Sequence, residues 1–214
     1  EMGWTATAIP EEYGGLGLGY LELCVIAEEL GRAVAPIPFA SSVYLATEAI
    51  LLAGSEEQKQ KYLPRLAAGE IIGTFANAEG ANAPSPRTIK TTFKAGKIDG
   101  TKTPVADGLA ADFAVVLVRT GDSGERALSL AIVDLTGAGV TRTALKTVDP
   151  TRGQAEIAFA GAPAELLGAQ GEGWALTGQI FDRAAIMLAF EQVGGSDACL
   201  AMAKDYALGR YAFG

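Results

Sequence analysis

The chain has 214 residues, of which 49% are hydrophobic and 20% are charged, so it is long enough to bury a core in one or two domains. Its formal net charge of -8 disfavours partners such as nucleic acid or an anionic membrane surface. The sequence contains no histidine, which excludes Ser-His-Asp catalysis and makes a metal site unexpected. Acid–base chemistry is therefore expected from carboxylates, lysines or tyrosines.

Two cysteines, Cys24 and Cys199, lie within apolar helical patterns, and both are predicted to be packed thiols. No apolar run reaches the roughly 18 to 20 residues that a membrane-spanning helix needs. The first residues also carry no basic stretch before an apolar core. A cytoplasmic protein without a membrane partner is therefore expected.

The first 70 residues show helical periodicity. One helix is predicted to begin at Tyr20, and a second is predicted over residues 41–53. Ser55 and Gln58 have the spacing of a capping box, which predicts a third helix that Pro64 limits. The side of the first helix that is expected to be buried carries Leu21, Cys24, Val25 and Ala27.

Residues 71 to about 167 contain short β-like runs between glycine, proline and aspartate, and helical periodicity returns at Trp174. The predicted fold class is a multidomain α+β protein. A helical amino-terminal domain is expected over residues 1–70, a β-barrel or sandwich over 71–170, and the first helix of an incomplete carboxyl-terminal helical domain over 171–214. The predicted strands cover residues 88–94, 113–118, 128–133 and 156–159.

Glu191 is the candidate base within the last helical pattern. Its neighbours Leu188, Phe190 and Val193 are apolar, and loss of water favours the neutral form of a carboxyl group, which suits a group that must accept a proton. The alternative is a structural glutamate that pairs with a cation, near a close helix approach at Gly194. Both interpretations stay open from the sequence.

Two cationic residues have weaker assignments. Arg152, in the run Thr151-Arg152-Gly153, either approaches a bound ligand from the β region or stabilises a turn. Lys102 follows Gly100 and is interpreted as a turn residue.

Several motifs occur in order along nearly the whole chain. They are Ile9-Pro10-Glu11-Glu12-Tyr13-Gly14-Gly15-Leu16-Gly17, Glu28-Glu29-Leu30-Gly31, Gly54-Ser55-Glu56-Glu57-Gln58-Lys59, Asp99-Gly100-Thr101-Lys102, Leu167-Gly168 and Arg210 with Phe213-Gly214. Together these motifs resemble the acyl-CoA dehydrogenase family, and the segment around Glu191 resembles heteromeric bacterial members that process steroid side chains.

This resemblance implies a flavoprotein that uses FAD to desaturate an acyl-CoA thioester between its α and β carbons. A carboxylate removes the α proton, and the β hydrogen leaves as hydride to the flavin. The resemblance also implies a homo- or hetero-oligomer, a dimer or tetramer, that passes electrons to an electron-transferring flavoprotein.

Site residues carried over from the family fall in the β region and on the last helix. Phe75, Asn77 and Ala78 belong to one segment that is expected against the flavin, and Pro104 and Ala106 belong to a second. This chain departs from the family at these positions, since Ala78 and Ala106 replace hydroxyl residues and Pro104 replaces a tryptophan, which leaves fewer hydroxyl donors to flavin.

The remaining carried-over residues concern the substrate and the flavin phosphates. Pro84, in a turn-prone loop, and Asp182 are expected to contact acyl-CoA, with Asp182 beside the pantetheine. The alternative is that Asp182 pairs with Arg183 or with another surface charge on the helix. Arg210 is expected to bind the flavin pyrophosphate of a neighbouring subunit, because guanidinium binds phosphate through two hydrogen bonds, and Phe213 of the same motif is expected at the cofactor. The alternative for Arg210 is a surface charge at the end of a helix.

Three functions are therefore compatible with the sequence. The first is a catalytic acyl-CoA dehydrogenase subunit that uses Glu191. The second is a noncatalytic or half-site subunit that supplies architecture and Arg210 to an active partner. The third is a flavin oxidase or monooxygenase on the same scaffold.

Overall fold

A computed structural model describes residues 3–211 and 213 of the chain. Its helices are α1 (Tyr20–Arg32), α2 (Glu48–Ala53), α3 (Glu56–Ala67) and α4 (Gly173–Gly209), and a π-helical segment (Ala40–Thr47) leads directly into α2. Short 3-10 turns cover Trp4–Ala6, Glu11–Tyr13 and Glu125–Ala127. Within the described residues, no helix has the length and apolar character that crossing a membrane requires.

Seven strands lie between α3 and α4. They are β1 (Gly73–Ala76), β2 (Thr92–Lys94), β3 (Lys97–Ala106), β4 (Phe113–Arg119), β5 (Leu128–Asp134), β6 (Val140–Leu145) and β7 (Gln154–Leu167). Pairings run from β4 through β5, β7, β3 and β2 back to β4, so the sheet closes into a small barrel. β1 adds to β4 in parallel, and β6 adds to β7. The predicted α+β class with a β-barrel is therefore confirmed.

Strand β4 separates the two main parts of the core. Its side chains alternate between faces, as the two-residue period of a strand requires. Phe113, Val115 and Leu117 pack with the helices α2 and α3, whereas Ala114 and Val116 point into the barrel. The continuous apolar run of β4 is thus explained by burial on both faces.

Helices α1 and α4 cross at very short range. A Cβ atom on Gly194 would overlap the backbone oxygen of Glu28, and one on Gly31 would overlap the backbone oxygen of Glu191. The close helix approach predicted near Gly194 is therefore present. The two glycines allow α4 to approach the amino-terminal helices, and this contact places Glu191.

Two helical predictions were wrong in detail. Leu21 and Val25 are exposed on α1. The buried face of this helix contains Leu23 and Ala27, and the 3.6-residue period of a helix places Leu21 and Val25 away from that face. Helix α3 continues through Pro64 to Ala67. The proline lies in the last turn, so it disturbs only the end of the helix. The predicted capping box is confirmed, with Ser55 and Gln58 exchanging side-chain to backbone hydrogen bonds.

Other differences concern strands and a cysteine. β1, β3 and β6 were not predicted, and of the predicted strand 88–94 only residues 92–94 are extended. β3 carries charged and hydroxyl residues on its outer face, which hides its pattern in the sequence. Cys24 is buried as predicted, but Cys199 is exposed. The domain boundaries at residues 70 and 170 fall between elements and stay a prediction.

Candidate functional site

A cleft of about 510 Å³ lies between the barrel and the helices. Glu191 reaches it from α4, and its Oε2 atom accepts a hydrogen bond from Nη2 of Arg152 at 2.5 Å. The Glu191 side chain is 10% exposed and that of Arg152 is 35% exposed. Further residues that line the cleft are Leu30, Gly31, Ala40, Ser41, Leu45, Ala106, Asp107, Asp149, Thr151, Gln154, Leu188 and Gln192.

Local sequence explains how the two charges meet. Glu191 lies on the buried stripe of α4 together with Ala184 and Met187, at helical spacing. Arg152 lies on the loop between β6 and β7. Asp149 stabilises this loop by accepting hydrogen bonds from the hydroxyl and the backbone N–H of Thr151, at 2.6 and 2.8 Å, and these bonds lower the pKa of Asp149.

The ion pair bears on both interpretations of Glu191. Pairing with a cation is what the structural alternative expects, and Arg152 is that cation. The cleft position beside Ala106 is what a base would require. Arg152 occupies Oε2 of Glu191, so proton transfer at this oxygen requires separation from Arg152. The role of Glu191 as a base stays a prediction.

Arg152 was assigned either to a ligand or to a turn, and the structure places its guanidinium in the cleft. Ser41 and Asp107 also lie there and were not anticipated from the sequence. The Ser41 hydroxyl donates to Oδ2 of Asp107 at 2.6 Å, so the cleft wall is polar on the barrel side. The sequence indicates Asp107 only through its position directly after Ala106, which is predicted to lie against the flavin.

The two segments expected against a flavin are adjacent. Thr103 N–H donates to the Ala78 oxygen at 2.9 Å, and Gly80 N–H donates to the Thr103 oxygen at 2.7 Å. The Thr74 hydroxyl donates to the Ala106 oxygen at 2.6 Å. Residues 74–80 and 103–106 therefore form one connected wall, which includes Ala78 and Pro104.

A second cleft of about 300 Å³ lies further along α4. Asn77 and Pro84 line it from the barrel side, and Trp174, Thr177, Gly178 and Phe181 line it from α4. Phe75 is buried and its ring meets the ring of Phe181 edge to face at 5.6 Å. Pro84 is thus placed beside the start of α4, next to the helix that carries Asp182.

Lys102 is not a turn residue, so that prediction was wrong. It lies in β3 with its side chain fully buried, and its Nζ donates to Oε1 of Glu79 at 2.7 Å. Glu79 also accepts from the backbone N–H groups of Thr91 and Lys90 at 3.0 and 2.7 Å. The pair joins the two segments of the wall, since Glu79 follows Ala78 and Lys102 precedes Thr103.

Asp182 is exposed, one residue after Phe181. The alternative pairing of Asp182 with Arg183 is wrong, because the Arg183 guanidinium binds Glu48 and the Tyr20 hydroxyl instead. A role for Asp182 toward a ligand stays a prediction.

Arg210 and Phe213 lie outside both clefts. Arg210 follows α4 and contacts the Tyr206 hydroxyl, and the Phe213 side chain is fully exposed. The 19 positions between Glu191 and Arg210 correspond to about 28 Å of helix. Within one chain, Arg210 is therefore remote from the Glu191 cleft. Gly214, which completes the motif, lies outside the described residues.

Comparison with known proteins gives one consistent result. Residues 1–70 match the family model described as acyl-CoA dehydrogenase, N-terminal domain. An acyl-CoA dehydrogenase of Bacillus subtilis (strain 168) is 32% identical over 218 residues, which cover 96% of this chain and 58% of that protein. The chain spans between 53% and 58% of the length of the curated relatives it matches.

Solved structures agree over nearly the whole chain. A chain from the structure of the electron transferring flavoprotein of Acidaminococcus fermentans superposes with a TM-score of 0.93 at 31% identity, covering 99% of this chain and 59% of that one. An acyl-CoA dehydrogenase complexed with FAD from Bacillus anthracis superposes with a TM-score of 0.91 at 28% identity, covering 99% of this chain and 38% of that one.

Proposed function

We propose that the chain belongs to the acyl-CoA dehydrogenase family, which the match of residues 1–70 to the N-terminal domain model and the similar proteins support, and that it takes part in FAD-dependent α,β-dehydrogenation of an acyl-CoA thioester. One observation carries the proposal. A glutamate on α4 faces a cleft that Ala106 also lines, and Ala106 is the end of the wall formed by residues 74–80 and 103–106. This geometry supports a base on one side of a substrate and a flavin ring on the other.

The residues of the wall fit the flavin ring better than the flavin phosphates. Phe75, Ala78, Pro104 and Ala106 carry no side-chain hydroxyl, so ring contacts come from backbone groups and from Asn77. Bound FAD supplies the hydride acceptor for this chemistry. A cation for its pyrophosphate comes from Arg210 of a second copy, because Arg210 of the same chain is too distant.

The chain's own part of the chemistry is proton transfer at Glu191. The α C–H bond breaks, the proton goes to a carboxylate oxygen of Glu191, and the β hydrogen leaves as hydride, which gives the enoyl thioester. Glu191 separates from Arg152 before this step, because the Arg152 guanidinium occupies Oε2 of the carboxylate. The mobile partner is Arg152, whose side chain is the more exposed of the two.

The CoA part of the substrate follows α4 past the second cleft. Phe181 and Glu191 are ten residues apart on one helix, which corresponds to about 15 Å and suits an extended pantetheine arm. Pro84 borders this path in the second cleft, and Asp182 takes a polar group of the pantetheine. The acyl group then lies beside Leu188 and Glu191.

Three finer assignments extend the proposal. An electron-transferring flavoprotein reoxidises the reduced flavin, in line with the likeness to a chain from such a structure. The functional protein is an oligomer, in which Arg210 completes a neighbouring site. The proposed acyl group is a fatty chain or a steroid side chain, and the segment around Glu191 resembles members that process steroid side chains.

The test is anaerobic reduction of the bound flavin by acyl-CoA thioesters, followed in the visible spectrum. Glu191→Gln is expected to keep FAD bound and to lower the reduction rate by a factor of at least about 100, as removal of a general base does. Asp205→Asn is the matched control, because Asp205 is an exposed carboxylate on the same helix. Equal bleaching in Glu191→Gln and the wild type would exclude Glu191 as the base.

A half-site subunit is the second candidate. It is favoured by the absence of hydroxyl side chains at Ala78, Pro84, Pro104 and Ala106 and by the outward position of Arg210. A protein that is colourless alone and turns yellow with a second polypeptide would support this candidate. Reoxidation by dioxygen at the rate of turnover would instead support a flavin oxidase or monooxygenase.

A further inference from the structure

A basic cleft of about 490 Å³ lies at the end of strand β4, apart from the Glu191 cleft. Arg87, Lys90 and Arg119 line it together with one acidic residue, Asp122. Three cations and one carboxylate leave a net charge of +2 here, on a chain whose formal net charge is -8. A local positive region attracts anions over a distance of about 10 Å at 0.1 M salt.

The positive charge of this cleft is not compensated by ion pairs. Within residues 3–211 and 213, no carboxylate oxygen lies within 4.0 Å of Arg87, Lys90 or Arg119. Cations elsewhere in the chain, such as Lys102 and Arg152, do pair with carboxylates. Three unpaired cations that line one cleft can therefore all act on an anionic ligand.

Arg119 fixes the backbone of the segment that carries the other two cations. Its Nε donates to the Ile89 oxygen at 2.9 Å, and its Nη2 donates to the Pro86 oxygen. Pro86 directly precedes Arg87, and Ile89 directly precedes Lys90. The half-buried Arg119 is thus a support for the loop, whereas the side chains of Arg87 and Lys90 are exposed.

Further hydrogen bonds hold the same segment. The Thr88 N–H donates to the Ser85 oxygen at 3.0 Å, and the Ser85 N–H donates to the Thr88 hydroxyl at 2.9 Å, so Arg87 lies in a closed turn. The Lys90 N–H donates to Oε2 of Glu79 at 2.7 Å. A backbone that is already ordered lowers the conformational cost of binding a ligand.

The basic cleft lies next to the proposed path of the substrate. This path leads along α4 from Glu191 past Phe181 to Pro84 in the second cleft. Pro86 lines the basic cleft, and two residues of extended chain span at most about 7 Å. In CoA, the pantetheine arm is followed by a nucleotide that carries a pyrophosphate and a 3′-phosphate.

We infer that the basic cleft binds the phosphate groups of the CoA nucleotide, with Arg87 and Lys90 as the donors. The Arg87 guanidinium suits two parallel hydrogen bonds to one phosphate, and the Lys90 ammonium acts as a point charge. The cleft then makes the protein selective for CoA thioesters over thioesters of pantetheine alone. The inference rests on the proposed function, which takes acyl-CoA as the substrate.

The test is isothermal titration calorimetry of the protein with FAD bound, with CoA and with pantetheine, which lacks the nucleotide. In Arg87→Gln/Lys90→Gln the Kd of CoA is expected to rise about tenfold, as the loss of two exposed charge-assisted contacts does. The Kd of pantetheine should stay unchanged. Both side chains are exposed, so the melting temperature should also stay unchanged.

Arg65→Gln/Lys204→Gln is the matched control, because it removes two exposed positive charges from helices outside the basic cleft. This variant should bind CoA as the wild type does. An equal loss of CoA affinity in the control would overturn the inference, since net charge alone would then explain the effect. An unchanged Kd of CoA in Arg87→Gln/Lys90→Gln, or an equal weakening of pantetheine, would overturn it as well.

The binding measurement needs no turnover, which separates this inference from the proposed function. If acyl-CoA thioesters never reduce the wild-type flavin but CoA binding shows the expected loss, the proposed dehydrogenation fails and the nucleotide site stands. If the wild-type flavin is reduced and Arg87→Gln/Lys90→Gln binds CoA equally well, the proposed function survives and the role of the basic cleft is lost.

Discussion

Lys102 is a buried cation next to the wall formed by residues 74–80 and 103–106, and its charged form is stabilised by the Glu79 carboxylate. Burial lowers the pKa of Lys102 to about 8, although the Glu79 carboxylate acts in the opposite direction. Burial also acts on Glu79, yet Lys102 and the N–H groups of Thr91 and Lys90 hold the pKa of Glu79 below its ordinary value. The pair is compensated only while both members are present.

We predict that Glu79→Gln destabilises the protein by about 3 to 5 kcal/mol, because it leaves a buried ammonium without a charged partner. Glu79→Gln with Lys102→Met should recover much of this loss, since the double variant has no buried charge at the pair. Urea unfolding of the two single variants and the double variant gives the coupling free energy. Additive losses would show that the two side chains do not interact.

The same variants give a pH dependence. Between pH about 8 and the ordinary lysine value of 10.5, the folded protein has released the Lys102 proton and the unfolded chain still holds it. The free energy of unfolding of the wild type should therefore rise with pH in this window, relative to Lys102→Met. Outside the window, Lys102 has the same protonation state in the folded and unfolded protein, and the difference should be flat.

Helix α4 is positioned by the two glycines of its crossing with α1. Any side chain at Gly194 meets the backbone of Glu28 rather than a flexible side chain, so the neighbour cannot adjust cheaply. We predict that Gly194→Ala destabilises the protein by about 1 to 3 kcal/mol or more, as overpacking does. The measurement is the midpoint and slope of urea unfolding.

Gly178→Ala on the same helix is the matched control, because a Cβ atom there meets no heavy atom within 4 Å. This substitution should stabilise the protein by about 0.5 to 1 kcal/mol, the usual gain of alanine over glycine in a helix. If Gly194→Ala were equally stabilising, the helices would have to separate without cost, and the position of Glu191 would not depend on the crossing.

How much of an element can be predicted from sequence depends on where its contacts lie. The buried stripe of α4 is local, so spacing alone placed Ala184, Met187 and Glu191 on one face. The partners of Glu191 and Lys102 come from 39 and 23 positions away, and local spacing carries no information about them. Local patterns predicted the fold class, and the resemblance supplied the wall segments, but neither supplied the ion pairs.

At the scale of the whole molecule, one chain separates groups that a single flavin site would need together. Glu191 and Ala106 face one cleft, whereas Arg210 follows the far end of α4, whose last turns are exposed. Closed oligomers bring distant surfaces of identical chains together by symmetry. The proposed site is therefore completed between two copies. Glu191 and Arg210 of one site then belong to different chains and can be substituted in different chains.

We predict that Arg210→Gln and Glu191→Gln variants, each inactive as homo-oligomers, complement each other when they are coexpressed. A mixed dimer contains one site with an intact Glu191 and with Arg210 from the other copy. Random pairing of equal amounts in dimers should restore about a quarter of the wild-type rate of flavin reduction. Lys204→Gln is the control for loss of an exposed cation on α4, and it should be fully active alone. Absence of any recovery in verified mixed dimers would mean that Arg210 does not act across a subunit boundary.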